Sequence, residues 1–98
     1  MAVYGIVQNT IVDPDLMQEY QDRVGATVPE GVSVIASDEA PEVIEGEGPA
    51  LRTVIVEFPD RDVFDAWYQS EAYEELARIR MEAAPGTFVL VEGITPDA

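Results

Sequence analysis

The chain predicts a ferredoxin-like α+β sandwich of order βαββαβ, and three observations predict it. Apolar runs and turn residues alternate as strand, helix, strand, strand, helix, strand. The 98 residues suffice for one domain, 1–98, with an ordered core of about 3–93 and a polar tail at 94–98. The strands are apolar on both faces, which calls for more cover than two helices provide.

Val3 to Gln8 reads as the first strand. Asp13-Pro14-Asp15 opens a helix, because Asp13 accepts from free backbone N–H groups and Pro14 suits the first helical position. Leu16, Met17, Tyr20 and Val24 share one face of it, and Gly25 is the expected stop. A short second strand is expected over Val32 to Ala36. From Ser37 to Pro49, five carboxylates and several turn residues predict a solvated loop with a short extended piece at Val43-Ile44-Glu45. That loop lacks the spacing of a calcium loop.

Leu51 to Phe58 is the strongest strand, ended by Pro59. Asp60 caps a helix from Arg61 to Gln69, and Ser70 caps its continuation from Glu71 to Ala84, with Tyr73, Leu76, Ala77 and Arg80 on one face. Pro85-Gly86 breaks that helix before a last strand, Thr87 to Glu92.

In the strand Leu51 to Phe58, one alternate set is Arg52, Val54, Val56 and Phe58 and the other is Leu51, Thr53, Ile55 and Glu57. The first and last strands are similarly apolar on both sides, whereas a half-exposed antiparallel sheet alternates apolar with polar. A second copy is the simplest cover for the face the helices leave open. This predicts a homodimer, sheet on sheet, burying on the order of 1,200–2,000 Å².

Twenty acidic residues stand against five basic ones, a formal net charge of −15. Nucleic acid is excluded as a partner by the lack of cations to displace condensed counterions, and an anionic membrane surface for the same reason. All five basic residues are arginines, and lysine is absent. Such a surface favours solubility; it also fits a halophilic setting, where molar salt screens its self-repulsion. No run approaches a membrane span and no basic leader precedes the first strand, so the expected location is cytoplasmic.

Cysteine, histidine and lysine are all absent. That removes thiolate chemistry, the usual general base near neutral pH and Schiff-base catalysis. No metal and no cofactor is expected. Any catalysis is left to carboxylates, tyrosines, arginines, hydroxyls or a group the substrate brings.

The run Glu57-Phe58-Pro59, Trp67-Tyr68, Ser70, Tyr73 and Arg80 is preceded by Glu45-Gly46 and Arg52 and followed by Val91-Glu92-Gly93. Together these resemble the domain-of-unknown-function 1330 family, whose members belong to the dimeric α/β-barrel, ferredoxin-like superfamily. Family members often carry a Gly-Gly pair before the second strand, where this chain has Pro29-Glu30-Gly31. The superfamily includes cofactor-free monooxygenases, isomerases, decarboxylases and stress-response binding domains. The resemblance therefore implies a pocket between sheet and helices, and not one activity.

Candidate site residues follow. Trp67 and Tyr68 occupy an apolar helical face, where most aromatics are core; one of them walling a ligand pocket is the functional alternative. Arg80 either keeps its head in water near the helix end or turns under the helix to hold a carboxylate or an anionic substrate. Glu57, with Arg52 or Arg80 as its mate, is either in a structural ion pair or a general base, and Glu92 is a second catalytic candidate. Tyr4 and Tyr73 are hydroxyls suited to donate to a carbonyl or enolate. Arg52 joins the expected ligand-binding set of Trp67, Tyr68, Tyr73 and Arg80. Three functions stay open: a cofactor-independent enzyme on a small organic molecule, a non-catalytic ligand-binding or stress-associated module, and a structural dimer with no pocket.

Overall fold

The computed structural model describes residues 1–48 and 50–94; of the polar tail expected at 94–98, residues 95–98 lie outside them. The elements are β1 (Val3–Asn9), α1 (Pro14–Val24), a 3-10 turn (Gly25–Thr27), β2 (Ser33–Asp38), β3 (Arg52–Phe58), α2 (Arg61–Tyr68), α3 (Glu71–Ala83) and β4 (Gly86–Glu92). The four strands form one antiparallel sheet in the order β2-β3-β1-β4. This is the ferredoxin-like α+β arrangement.

Three side-chain caps start the helices where the sequence places them. Asp13 Oδ1 accepts from Leu16 N at 3.1 Å, Asp60 Oδ1 from Val63 N at 2.8 Å and Ser70 Oγ from Tyr73 N at 3.2 Å. Each such cap contributes about 1 kcal/mol.

Some local expectations differ from the structure. α1 does end at Gly25, but with φ −56° there the chain winds on as a 3-10 turn in which Thr27 Oγ1 donates to the Val24 carbonyl. Val43-Ile44-Glu45 forms no strand, for no neighbouring strand there completes a ladder. β2 runs to Asp38 and carries a bulge between Val34 and Ala36. Before it, Val32 N donates to the Pro29 carbonyl and Gly31 takes φ +90°. That turn needs one glycine at its third position, so a single glycine serves in place of the pair.

Strand register defines two faces. On the helix side, Val3 pairs with Phe58; Gly5 with Val56 and Leu90; Val7 with Val54 and Phe88; and Asn9 with Arg52 and Gly86. The main core lies here, with Val3, Phe58, Trp67, Tyr73, Leu76 and Ala77 buried together. A second cluster of Met17, Ala83 and Ala84 ties α1 to the end of α3.

On the other side, Ala36, Ile55, Ile6 and Val89 form one row across all four strands. Val89 is 49% exposed and Val91 43%. The chain is a slab of 42 × 39 × 16 Å with a radius of gyration of 14.2 Å, against about 12.6 Å for a compact chain of this length. Its accessible surface of 6563 Å² exceeds the roughly 5,500 Å² of a compact monomer of this mass. One apolar sheet face stands uncovered.

Candidate functional site

The Arg52–Asn9–Gly86 row ends the helix side of the sheet, and the C-terminal end of α3 is tied down beside it. Val12 N and Asp13 N donate to the Ala83 carbonyl at 2.8 and 3.1 Å, and Thr10 N to that of Pro85 at 3.2 Å. Backbone donors of the β1–α1 connection thus satisfy carbonyls that a helix end leaves free. The tie brings the last turn of α3, with Arg80, over the end of β1.

Arg80 is 6% exposed. Its Nη1 donates to the Tyr73 hydroxyl at 2.5 Å, and its guanidinium carbon sits 5.1 Å from the centroid of the Phe88 ring. Phe88 has room to lie there because residue 5 is glycine; a Cβ at that position would come 2.8 Å from the ring. Among the described residues no carboxylate lies within ion-pairing distance of Arg80; the ion pairs join Arg23 to Glu75, Arg52 to Glu39, Arg61 to Asp65 and Arg78 to Glu74. A desolvated cation balanced only by a hydroxyl and an aromatic face is unusual, since removal from water costs several kcal/mol.

Two chambers meet at this residue. One, of about 390 Å³, lies between the end of α3 and the start of β4, with Tyr68, Met81 and Thr87 in its wall. The other, of about 200 Å³, lies between α1 and the sheet, walled by Met17, Tyr20, Val54, Val56 and Trp67. Val7, Asn9, Arg80 and Phe88 line both. Among the described residues no carboxylate lines either.

Asn9 is 2% exposed. Its Oδ1 accepts from Arg52 Nη1 at 3.1 Å, and its Nδ2 has no acceptor among the described residues. The donor on Arg52 fixes which end of the amide is which. Arg52 also holds Glu39 through Nε at 3.2 Å.

Tyr73 is fully buried, its ring 3.8 Å from that of Trp67, and its hydroxyl lies 2.9 Å from the Tyr20 hydroxyl. Burial pushes the Tyr73 hydroxyl far above its ordinary 10.0; nearby Tyr20 adds to the rise and Arg80 opposes it. The folded chain keeps this proton where the unfolded chain releases it. The stabilisation is therefore complete below about pH 10 and falls as pH rises beyond, by about 1.4 kcal/mol per pH unit. Tyr73→Phe should be less stable than the wild type by about 1–3 kcal/mol at pH 8, because Arg80 loses its acceptor. Above pH 10 that gap should narrow. Urea unfolding at pH 8 and pH 11 checks both, and a gap independent of pH contradicts the burial of this hydroxyl.

The sequence candidates divide into three places. Arg80 and Arg52, with Trp67 and Tyr68, line the chambers, while Tyr73 stands behind Arg80 as its prop. Trp67 is also core, packed on Phe58 and donating Nε1–H to Thr27 Oγ1 at 3.1 Å. Glu57 lies on the open face, paired in register with Tyr4 rather than with Arg52 or Arg80. The charge of its carboxylate pushes the Tyr4 hydroxyl above its ordinary value. Glu92 pairs with Val3 at the far end of β4, exposed, six residues from Gly86. The two carboxylates occupy opposite faces of the sheet, because their register partners Tyr4 and Val3 are neighbours of opposite parity in β1.

Sequence reasoning passed over Asn9, Tyr20 and Phe88. The signal for Asn9 was its parity with Val3, Gly5 and Val7, which makes it the polar end of an otherwise apolar row.

Fold and site together define a ferredoxin-like α+β protein with a chambered space between its sheet and helices. The chain is similar over 97% of its length to the RPA0582 protein of unknown function from Rhodopseudomonas palustris, at 15% identity, TM-score 0.74 and 84% of that chain. A dimeric ferredoxin-like protein of unknown function from Jannaschia sp. CCS1 matches 95% of this chain and 100% of its own, at 13% identity and TM-score 0.73. SnoaB, a cofactor-independent oxygenase from Streptomyces nogalater, matches 96% and 94% at 13% identity and TM-score 0.65. At these identities the likeness is one of fold. No curated protein matches the sequence. The chain belongs to the family described as domain of unknown function DUF1330, which matches residues 2–94.

Proposed function

We propose that this protein is a homodimer that binds a small organic molecule in the chambers around Arg80. The observation that carries the reading is the arginine itself: buried, shared by both chambers and without a carboxylate among the described residues. Buried ionic groups are normally paired, and a site that leaves one unpaired in a concave space is the default ligand-site hypothesis.

A binding role is favoured over proton-transfer catalysis by Glu57 or Glu92, since neither carboxylate lines a chamber. An enzyme on this site would rely on acidity supplied by its substrate. Dimerisation through the open face is supported by the apolar row from Ala36 to Val89, by the excess surface, and by the dimeric neighbour from Jannaschia. The acidic surface suits molar salt, where the screening length falls to roughly 3 Å.

A thermal-shift screen of small organic molecules, in dilute buffer and in multimolar salt, tests this reading. Salt alone should raise the Tm, and a ligand at ten times its Kd should add about 1.4 kcal/mol, several degrees for a domain of this size. A Tm indifferent to salt removes the halophilic part. A broad screen without a shift speaks against the ligand.

A further inference from the structure

The donors around Arg80 narrow the ligand to a class, in an inference that rests on the binding role just proposed. We propose that the ligand is a monocarboxylic acid with one ring or a short branched apolar body, its carboxylate held by Arg80 and the Asn9 amide.

The polar groups at the junction of the chambers are donors without acceptors. Arg80 uses Nη1 on Tyr73, and its other N–H groups find no acceptor among the described residues. Asn9 Nδ2 has none either, and its orientation is locked by Arg52. An arginine and an asparagine with spare donors, both lining the same two chambers, suit a planar carboxylate, which takes several donors at once. The Tyr73 hydroxyl, which accepts from Arg80, also shares a hydrogen bond with the hydroxyl of Tyr20, a residue that lines the chamber beneath α1.

Charge sets the valence. Of the two arginines at the site, Arg52 is already matched by Glu39, so one positive charge is left. One carboxylate balances it; a dianion would leave a buried excess. Space sets the body. An apolar cavity of about 150 Å³ in another protein takes up benzene, and the chamber beneath α1 holds about 200 Å³ between Met17, Val54, Val56 and Trp67. That is room for one ring beside the only tryptophan in the chain.

The test titrates the intact protein with phenylacetate and with phenylacetamide, its neutral isostere, following Trp67 fluorescence and heat. The acid is expected to bind at least about tenfold more tightly than the amide, as loss of a charge-assisted contact predicts. Asn9→Asp keeps the side-chain shape and supplies a competing carboxylate beside Arg80 and Arg52. It should erase the acid's advantage without lowering the Tm. Equal binding of acid and amide by the wild type overturns the carboxylate assignment and leaves the binding role intact. Binding of neither at millimolar concentration overturns both. An acid preference that persists unchanged in folded Asn9→Asp places the carboxylate elsewhere and overturns the proposal.

Discussion

Replacing Phe58 with alanine should destabilise the protein by about 3–5 kcal/mol, out of the roughly 5–15 kcal/mol that holds a domain together. Phe58 is completely buried. Its ring meets Phe64 edge-on at 5.1 Å and Trp67 at 5.5 Å. It also ends β3, so its removal opens a hole where sheet, α2 and α3 join. The void would merge with the chamber beneath α1, which Phe58 already walls, so relaxation of the neighbours cannot close it. Chemical denaturation should show the midpoint falling with little change in slope. A loss below about 1 kcal/mol would mean that the aromatic cluster is not the centre of the core.

Placing a carboxylate at the centre of the open sheet face, Val89→Glu, should convert the proposed dimer to a monomer. Val89 sits opposite Ile6 in the row that crosses all four strands, and half of it is exposed in the single chain. An isolated chain tolerates glutamate there because the side chain reaches water. In a sheet-on-sheet dimer each copy contributes one such carboxylate to an apolar layer, with no arginine among the described strand residues of that face to meet it. Burial of an unpaired charge costs several kcal/mol, and the two-fold arrangement doubles the effect. Sedimentation equilibrium at micromolar concentration should give twice 10.7 kDa for the wild type and 10.7 kDa for the variant. Equal masses for the two place the contact elsewhere.

Most of the scaffold was legible because it is written locally. Asp13, Asp60 and Ser70 each hold a side-chain oxygen at the position where free backbone N–H groups need one. Pro59 and Pro85 end segments that cannot continue through them. The run from Leu51 to Phe58 is too short and too β-branched to be anything but a strand.

The site was less legible, for a physical reason. Parity tells which residues share a face of a strand but not which face the helices cover. Glu57 was visibly on the side of Ile55; that this side is the open one follows only from where Trp67, Tyr73 and Leu76 pack. The burial of Arg80 depends on a tertiary tie between the β1–α1 connection and the end of α3. Nothing in the residues around Arg80 encodes that tie. Asn9 was missed by one position, since the first strand runs past Gln8 to include it. Gly25 marks the end of α1 as expected, although the chain leaves it through a 3-10 turn and not through a left-handed cap.

The Nε–Hε resonance of the Arg80 side chain, followed by nuclear magnetic resonance while small organic acids are added to the full chain, reads the site most directly. A saturable shift of that signal is expected, with the Trp67 indole N–H moving on the same binding curve. Acids that bind the protein while both signals stay still would contradict a binding site at Arg80.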